Sequence, residues 1–560
     1  MNSDMDRPGA RHGCRFVATL ASTLLALTCV SVTPGPARAA NVDEDVDSRV
    51  AASAVEVPVV ITLTAQVART SHRGRPSELI RSLRKTAEDS QDSVRAKLRG
   101  PSRSFWLVNA LSTSVDASEL ASLRNDPRVA SIALDPQITV AGTAEAAGQE
   151  SWGVGAVNAP DVWSRYGLTG TGMRVGSIDT GVDATNPELA GAIAGWKDFV
   201  GGQATPYDDN GHGTHTIGTM VARNITGAKV GIAPGATVIV AKAMGADGSA
   251  SGSTLLAAAQ WMTDPDGDPA TADYPTVINN SWTAAGANNE WFRPMVQTWV
   301  AMGIVPVFGA GNTANTIGNP ASYPESIAVG MSEQSGAIST NSSRGLINWT
   351  APDGTSTQIG KPDLTAPGAF ISSTVGSGYG LYSGSSMAAP HVAAAIVLIR
   401  QARPDLTVDG VRELLRSSAT DRGATGFDLD YGAGALDIAA AIAATGAPIV
   451  AAVTAPEPVA TTTAKLIRTN VRVLRVVRRG NHLIVQGRVS GPARLRLALR
   501  PRGTAQHSVR AIVATRSPAG RFSVRVPVGR LPRRAYLLVV TASNASGTRL
   551  GSTSVPVRLR

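Results

Sequence analysis

Cysteine is almost missing from this chain: among 560 residues only Cys14 and Cys29 carry a thiol, and both lie in the first thirty positions. Aromatic residues supply 4% and charged residues 17%. Lysine, aspartate and glutamate are all missing from residues 466–560, which hold 20 arginines. Each shortage excludes something. So few thiols exclude a disulfide-built scaffold. A hydrophobic content of 43% excludes a mostly disordered chain. At roughly 150 residues per domain, the length predicts three or four units with room for large cores. The formal charge of +10 conceals a division, because the residues before 466 carry 32 basic against 42 acidic groups, a balance of −10. An acidic body joined to a basic end is not a uniformly basic nucleic-acid binder.

Both thiols fall in a leader-like stretch. Arg7, Arg11 and Arg15 precede the apolar run Phe16 to Val32, which gives way to Pro34-Gly35-Pro36 and the small-residue site Ala37-Arg38-Ala39. Positive, then apolar, then small residues predict a cleavable secretory signal over 1–39. The apolar run is short for a membrane anchor and ends in proline and glycine. Cleavage after Ala39 gives a secreted, extracellular mature chain without cysteine and without a membrane span, which must be held by packing, with or without bound metal.

Composition divides the remainder. Residues 40–149 alternate strand-like runs (Val57 to Leu63, Ser104 to Leu111, Val129 to Leu134) with helical ones (Ser77 to Leu98, Ala117 to Leu123), which predicts a small α+β unit. Over 150–446, apolar strand candidates alternate with alanine-rich helical segments, the pattern of an α/β fold with a mostly parallel sheet. Residues 447–465, with Pro448, Pro456 and Pro458, read as a linker. Short Val/Leu/Arg alternations broken by glycine and proline over 466–560 predict an Arg-rich β-sandwich.

Three runs in the central segment carry chemistry. Arg174 to Gly181 is a buried-strand pattern that ends in Asp179 beside a glycine turn. In a parallel sheet, strand C-termini are where ligands are handled, although such an aspartate can equally cap a helix. Asp208 to His215 places His212 between glycines just before a helical stretch. A zinc reading of His212 and His215 lacks a companion set of Cys, His or Glu at ligand spacing. Gly384 to His391 opens an apolar helix and presents Ser386 among unsatisfied amide donors, a place for a nucleophile whose attack creates an oxyanion, or for a plain N-cap. A hydroxyl needs a base to attack an amide, and the base works best when a carboxylate fixes its tautomer. The chain order Asp179, His212, Ser386 is one of the triad orders of serine hydrolases.

With these motifs the sequence resembles the subtilisin family of serine proteases from Trp152-Gly153-Val154 through Tyr431 to Asp437, including Gly231 to Ala236 and Lys361 to Gly368. Ile278 to Trp282, Glu290-Trp291-Phe292 and Asn319 to Ser326 look most like its bacillopeptidase F branch. The resemblance implies a three-layer subtilisin-like fold and a serine endopeptidase acting on polypeptides through an acyl-enzyme. Ser386 is then the nucleophile, His212 rather than His215 the general base and acid, Asp179 the orienting carboxylate, and Asn312 the side-chain oxyanion donor. Ser281-Trp282-Thr283 and Gly309-Ala310-Gly311 match segments that flank the first substrate pocket, with Trp282 and Thr283 departing from the smaller residues common there. Ser385 replaces the usual threonine.

The same resemblance makes residues 40–149 an inhibitory propeptide, an intramolecular partner whose C-terminal end occupies the cleft and which is cut between about 141 and 151. No cofactor is required for the chemistry; structural calcium is expected of the family. Asp264-Pro265-Asp266-Gly267-Asp268 reads either as a solvated acidic turn or as a calcium loop, and Glu188 sits where the family supplies a ligand beside an apparently shortened Arg223 to Thr226. The Arg-rich end is either an anchor on anionic polymer such as cell-wall material or a solvated β surface. The rival from another class is an inactive protease scaffold that binds through this basic end. An esterase of the nucleophile-elbow type is disfavoured, since no Gly-x-Ser-x-Gly occurs.

Overall fold

The computed structural model of the chain describes residues 40–53, 55–140, 145–146, 150–225, 227–350 and 355–450, and further on 471–479, 482–489, 493–501, 510–517, 520–528, 535–543 and 549–558. The expected signal over 1–39, most of the 447–465 linker and most of the expected maturation stretch lie outside the described residues. The chain divides into two units, Met1–Ala452 and Val453–Arg560.

Seven apolar runs of the first unit pair in parallel as one sheet, in the order Leu364–Pro367, Ile327–Ser332, Val305–Gly309, Val277–Asn280, Arg174–Asp179, Thr237–Lys242 and Ile193–Asp198. Parallel strands covered on both faces are apolar throughout rather than alternating, and Val305–Gly309, Ile327–Ser332 and Leu364–Pro367 are buried along their whole length. Helices supply both covers, as parallel connections require. On one face the helix Ser385–Ala402 buries Val392, Ile396 and Ile399 in a cluster that also holds Ile217 and Met220 of the helix His212–Val221. On the other face the helices Gly252–Thr263 and Arg293–Met302 bury Leu255, Met262, Met295 and Trp299.

Ahead of this α/β body stands an α+β part. Its five strands run in the order Asn41–Val42, Val129–Leu134, Val57–Leu63, Ala110–Val115 and Arg103–Phe105, with helices at Pro76–Arg95 and Ala117–Arg124. Leu79, Ile80, Leu83 and Ala87 recur at helical spacing and form one buried stripe of Pro76–Arg95. The first three of these join the apolar cluster of Met295 and Trp299, so the α+β part shares a core with the α/β body.

One expected element is broken in two. The run Ser104 to Leu111 reads as a single strand, but the chain turns between Phe105 and Ala110, and the two pieces pair with each other. Asn109 makes the turn at φ 46. Its amide donates to the Ala65 carbonyl at 2.7 Å and to Ser90 Oγ at 2.9 Å, while its oxygen accepts from Gln91 Nε2 at 2.9 Å. Asparagine tolerates this left-handed backbone and supplies its own bonds, whereas hydrophobicity alone gave no sign of a turn because Phe105, Leu107 and Val108 are all buried.

In the second unit, strands 471–479, 482–489 and 520–527 form one antiparallel sheet, and 510–517, 493–501, 535–543 and 549–558 another. Leu483, Val485, Leu497, Tyr536 and Leu538 belong to one buried cluster. Among the described residues, no helix is long and apolar enough to cross a membrane.

Candidate active site

Asp179 ends the central strand Arg174–Asp179, and His212 is the first residue of the helix His212–Val221. Gly211 turns the chain into that helix at φ +97. Gly213 follows because nothing larger fits: a Cβ there would lie 2.3 Å from the Gly181 carbonyl oxygen. The approach is that close because Gly213 N–H donates to Thr180 Oγ1 at 2.8 Å, which locks the helix start onto the strand end. Both side chains are buried, and His212 Nδ1 lies 2.7 Å from Asp179 Oδ1. The carboxylate also accepts from the Thr180 amide at 2.7 Å and from Thr216 Oγ1 at 3.3 Å. With Nδ1 donating to Asp179, Nε2 is the basic nitrogen, and it has no hydrogen-bond partner among the described residues.

Burial pulls the His212 imidazolium down, but the Asp179 charge, its hydrogen bond and the charge of Asp208 outweigh this and raise the pKa above the ordinary histidine value. His215 behaves oppositely. Burial drives it down to about 3, its Nε2 donates to the Ile371 carbonyl at 2.9 Å, and its ring stacks on Tyr382 at 4.5 Å. A histidine held neutral in that way packs the fold, and its surroundings differ from those of His212.

Asp208 and Lys242 brace this corner and were not singled out by the sequence. Asp208 accepts from Thr180 Oγ1, the Gly211 amide, and the amide and hydroxyl of Thr214. Burial opposes its charge, and these bonds, led by Thr214, still leave its pKa lowered. Lys242, fully buried, donates to the Thr180 carbonyl and Asp209 Oδ1 at 2.6 Å each, and to the Met244 carbonyl at 2.9 Å.

Ser386 sits in the first turn of Ser385–Ala402, which packs on the His212 helix. Its Oγ donates to the Ser281 carbonyl at 3.0 Å, and Ser281 Oγ donates back to the Ser386 carbonyl at 2.8 Å. Asn312 Oδ1 accepts from the Ser385 amide at 2.8 Å, which leaves the NH₂ end of that side chain as the donor. Ser385 Oγ accepts from the Gly311 amide at 3.0 Å, so serine performs here without the methyl of the expected threonine. Ser281, Gly309, Asn312 and Ser386 line one cleft of about 480 Å³ with Trp282 and Thr283. The Trp282 indole is buried against Phe292 and Phe308, at 5.4 and 5.5 Å between ring centres. Gly309 and Gly311 face the cleft, whereas Ala310 between them is buried and donates to the Val329 carbonyl at 2.9 Å.

Thr139 and Val140 line the same cleft. Residues 137–139 pair antiparallel with Ser249–Ser251, and the Val140 amide continues the ladder to the Gly248 carbonyl at 2.9 Å. Residues 137–140 therefore lie along Gly248 to Ser251, an edge that the sequence analysis did not single out, while Ser281, Trp282 and Thr283 line the same cleft. No side-chain pattern could have revealed it, because main-chain pairing is carried by groups that every residue has. Nearby, Asp135 accepts from the Ser253 amide at 2.8 Å and from Ser253 Oγ at 2.5 Å, capping the helix Gly252–Thr263 from outside its own chain segment. Glu188 is buried with its carboxylate on the Ile225 amide at 3.0 Å and the Tyr379 hydroxyl at 2.9 Å.

The profile described as the Subtilase family matches residues 170–434. Bacillopeptidase F of Bacillus subtilis is 33% identical over 399 residues, 63% of this chain and 27% of that protein, so the chain spans about a quarter of that relative's length. Subtilisin E of Bacillus subtilis is 33% identical over 346 residues, 60% of this chain and 82% of that one. Alkaline elastase YaB of Bacillus sp. is 32% identical over 339 residues, 60% of this chain and 80% of that one. With a parallel sheet that carries Asp179 at a strand end, His212 bonded to it and Ser386 in a cleft at a helix start, these likenesses establish that the chain belongs to the subtilase family of serine endopeptidases.

Proposed function

We propose that this chain is a secreted serine endopeptidase, made as a precursor that residues 40–149 inhibit. The observation that carries the reading is the 2.7 Å bond from His212 to Asp179 with Nε2 left free. In the resting state the Ser386 proton is given to the Ser281 carbonyl. When a substrate peptide lies along Gly248 to Ser251, rotation of the Ser386 side chain turns Oγ toward Nε2, as catalytic bonds often tighten only with substrate present. Oγ then attacks the carbonyl carbon and its proton passes to Nε2. The oxyanion is taken by the Asn312 amide and the Ser386 N–H. Collapse of this intermediate sends the proton from Nε2 to the departing amine and leaves an acyl-enzyme. Water, deprotonated by the same nitrogen, attacks the ester and returns the proton to Ser386.

Support for the precursor comes from Thr139 and Val140, which line the cleft of Ser386, and from the shared apolar core. We read the two C-terminal sheets as a β-sandwich whose 20 arginines, without a single carboxylate, hold the enzyme on anionic polymer. Deleting residues 466–560 then abolishes retention on an anionic matrix at low salt. Unchanged retention returns these arginines to a solvated surface.

A phosphonate that labels serine nucleophiles tests the central reading. The expected result is one label per chain, on Ser386, with none on Ser386→Ala and a roughly 10⁶-fold loss of peptide hydrolysis, the size found in subtilisin itself. Ser386→Ala also retains residues 40–149 when expressed alone. A folded wild-type chain that takes no label favours the inactive scaffold instead.

A further inference from the structure

The loop between Thr263 and Tyr274 gathers charge that the catalytic site does not use. Asp264, Asp266 and Asp273 each offer an oxygen, and these oxygens all lie within 4.8 Å of one another. The closely spaced run expected from the sequence is altered in one respect: Asp268 turns away to accept the Ala270 amide at 2.9 Å, and Asp273 takes its place by accepting the Asp266 amide at 2.7 Å. Two oxygens of the cluster, Asp264 Oδ1 and Asp273 Oδ1, are buried with no hydrogen-bond partner among the described residues. The Asp264 side chain is 1% exposed. A buried carboxylate oxygen without a partner is costly unless a cation or a proton compensates it.

A cation is already there. Arg84, on the helix Pro76–Arg95 of the N-terminal part, pairs with Asp264 Oδ2 and donates to the Gly267 carbonyl at 2.8 Å, with its guanidinium 5.1 Å from the centre of the Trp106 ring. It satisfies one oxygen of the three carboxylates and leaves the two buried ones bare.

We propose that Asp264, Asp266 and Asp273 with the Gly267 carbonyl form a divalent-cation site, and that Arg84 occupies it as a competitor built into the N-terminal part. The donor set is all oxygen, which suits a hard cation, calcium before magnesium because the loop offers no rigid octahedron. Oxygens that share a calcium ion at about 2.4 Å stand no more than about 4.8 Å apart, and the oxygens of these three carboxylates all lie within 4.8 Å of one another. On the precursor reading, calcium and residues 40–149 then compete for one acidic loop, so the metal favours the processed form.

Terbium luminescence on the full chain carrying Ser386→Ala tests the site without requiring any cleavage. The Trp261 indole donates to the Pro265 carbonyl at 3.0 Å, close enough to sensitise an ion bound in this loop. Adding Arg84→Gln is expected to tighten terbium binding, displaceable by calcium, at least tenfold. Adding Asp264→Asn to that variant removes the sensitised signal, and Asp273→Asn does the same should Asp264→Asn fail to fold by circular dichroism. Equal affinity with and without Arg84, or a signal that survives both aspartate changes, overturns the proposal. So does an Asp264→Asn chain that only gains stability, which would mean that a shared proton fills the place of the ion. Failure here leaves phosphonate labelling of Ser386 untouched, and failure of labelling leaves this site untouched.

Discussion

Pro390 stands four residues after Ser386 and has no amide proton, so the Ser386 carbonyl lacks the usual bond from the residue one turn on and accepts from Ser281 Oγ at 2.8 Å. The reciprocal bond from Ser386 Oγ to the Ser281 carbonyl pins the helix start to the cleft wall. Proline inside a helix is a defect by propensity. Here it releases an acceptor that anchors Ser386.

Ser281→Ala removes the side-chain donor to that carbonyl. A loss of about 1–3 kcal/mol in unfolding free energy is expected, with kcat falling more than KM rises, because the anchor positions Ser386 and does not bind peptide. Urea unfolding and steady-state kinetics on one peptide check both. A change in KM alone would assign Ser281 to substrate binding.

Asp179→Asn should lower kcat about 10⁴-fold, the order found when the triad aspartate of a chymotrypsin-type protease is changed to asparagine. Catalysis needs His212 neutral, so activity in the wild type falls as pH drops through its raised pKa. Without the Asp179 charge, burial prevails and the acid limb of kcat/KM moves to lower pH. An acid limb that stays in place would mean that the limb belongs to another group.

On the proposed role of Asn312 as oxyanion donor, Asn312→Ala is expected to cost about 10²–10³ in kcat, the range known for subtilisin, with KM nearly unchanged, since such a donor meets the oxyanion rather than the ground-state carbonyl. The Ser385 amide also loses its 2.8 Å acceptor. Asn312→Asp keeps that acceptor and lacks the donor, so an Asp variant as poor as Ala isolates the oxyanion contribution.

Lys361 and Asp363 form a buried pair at 2.7 Å, with Lys361 also donating to the Ser326 carbonyl at 2.8 Å and Asp363 accepting from the Ala328 amide at 2.8 Å. Burial, only partly offset by Asp363, lowers the lysine pKa. Asp363→Ala strands that charge and should destabilise the α/β body by about 3–5 kcal/mol. Lys361→Met with Asp363→Leu together should recover most of the loss in thermal unfolding.

Asp126 is buried in the N-terminal part between Arg128 and Lys97, each 2.7 Å away. The Arg128 hydrogen bonds first, then Lys97, hold its pKa well below the usual range against the opposing effect of burial. A depressed carboxylate stabilises above its unfolded pKa of about 4 and loses that contribution as pH falls through the folded value. Asp126→Asn should therefore weaken the N-terminal part by about 2 kcal/mol at neutral pH, with the difference from wild type shrinking in acid. Hydrogen exchange across residues 57–134 at two pH values measures it.

The sequence by itself determined the α/β class of the central body and singled out Asp179, His212 and Ser386 as candidates. Apolar runs dictate a sheet buried on both faces, and chemistry-bearing side chains at strand ends and helix starts are read one letter at a time. The pairing of residues 137–139 with Ser249–Ser251, the turn at Asn109, the bond between Ser281 and Ser386, and the union of Asp273 with Asp264 and Arg84 were decided by tertiary structure alone. They depend on main-chain groups common to every residue, or on partners as far as 180 positions apart. Nothing local records such a meeting; it exists only once the shared core has brought the segments together.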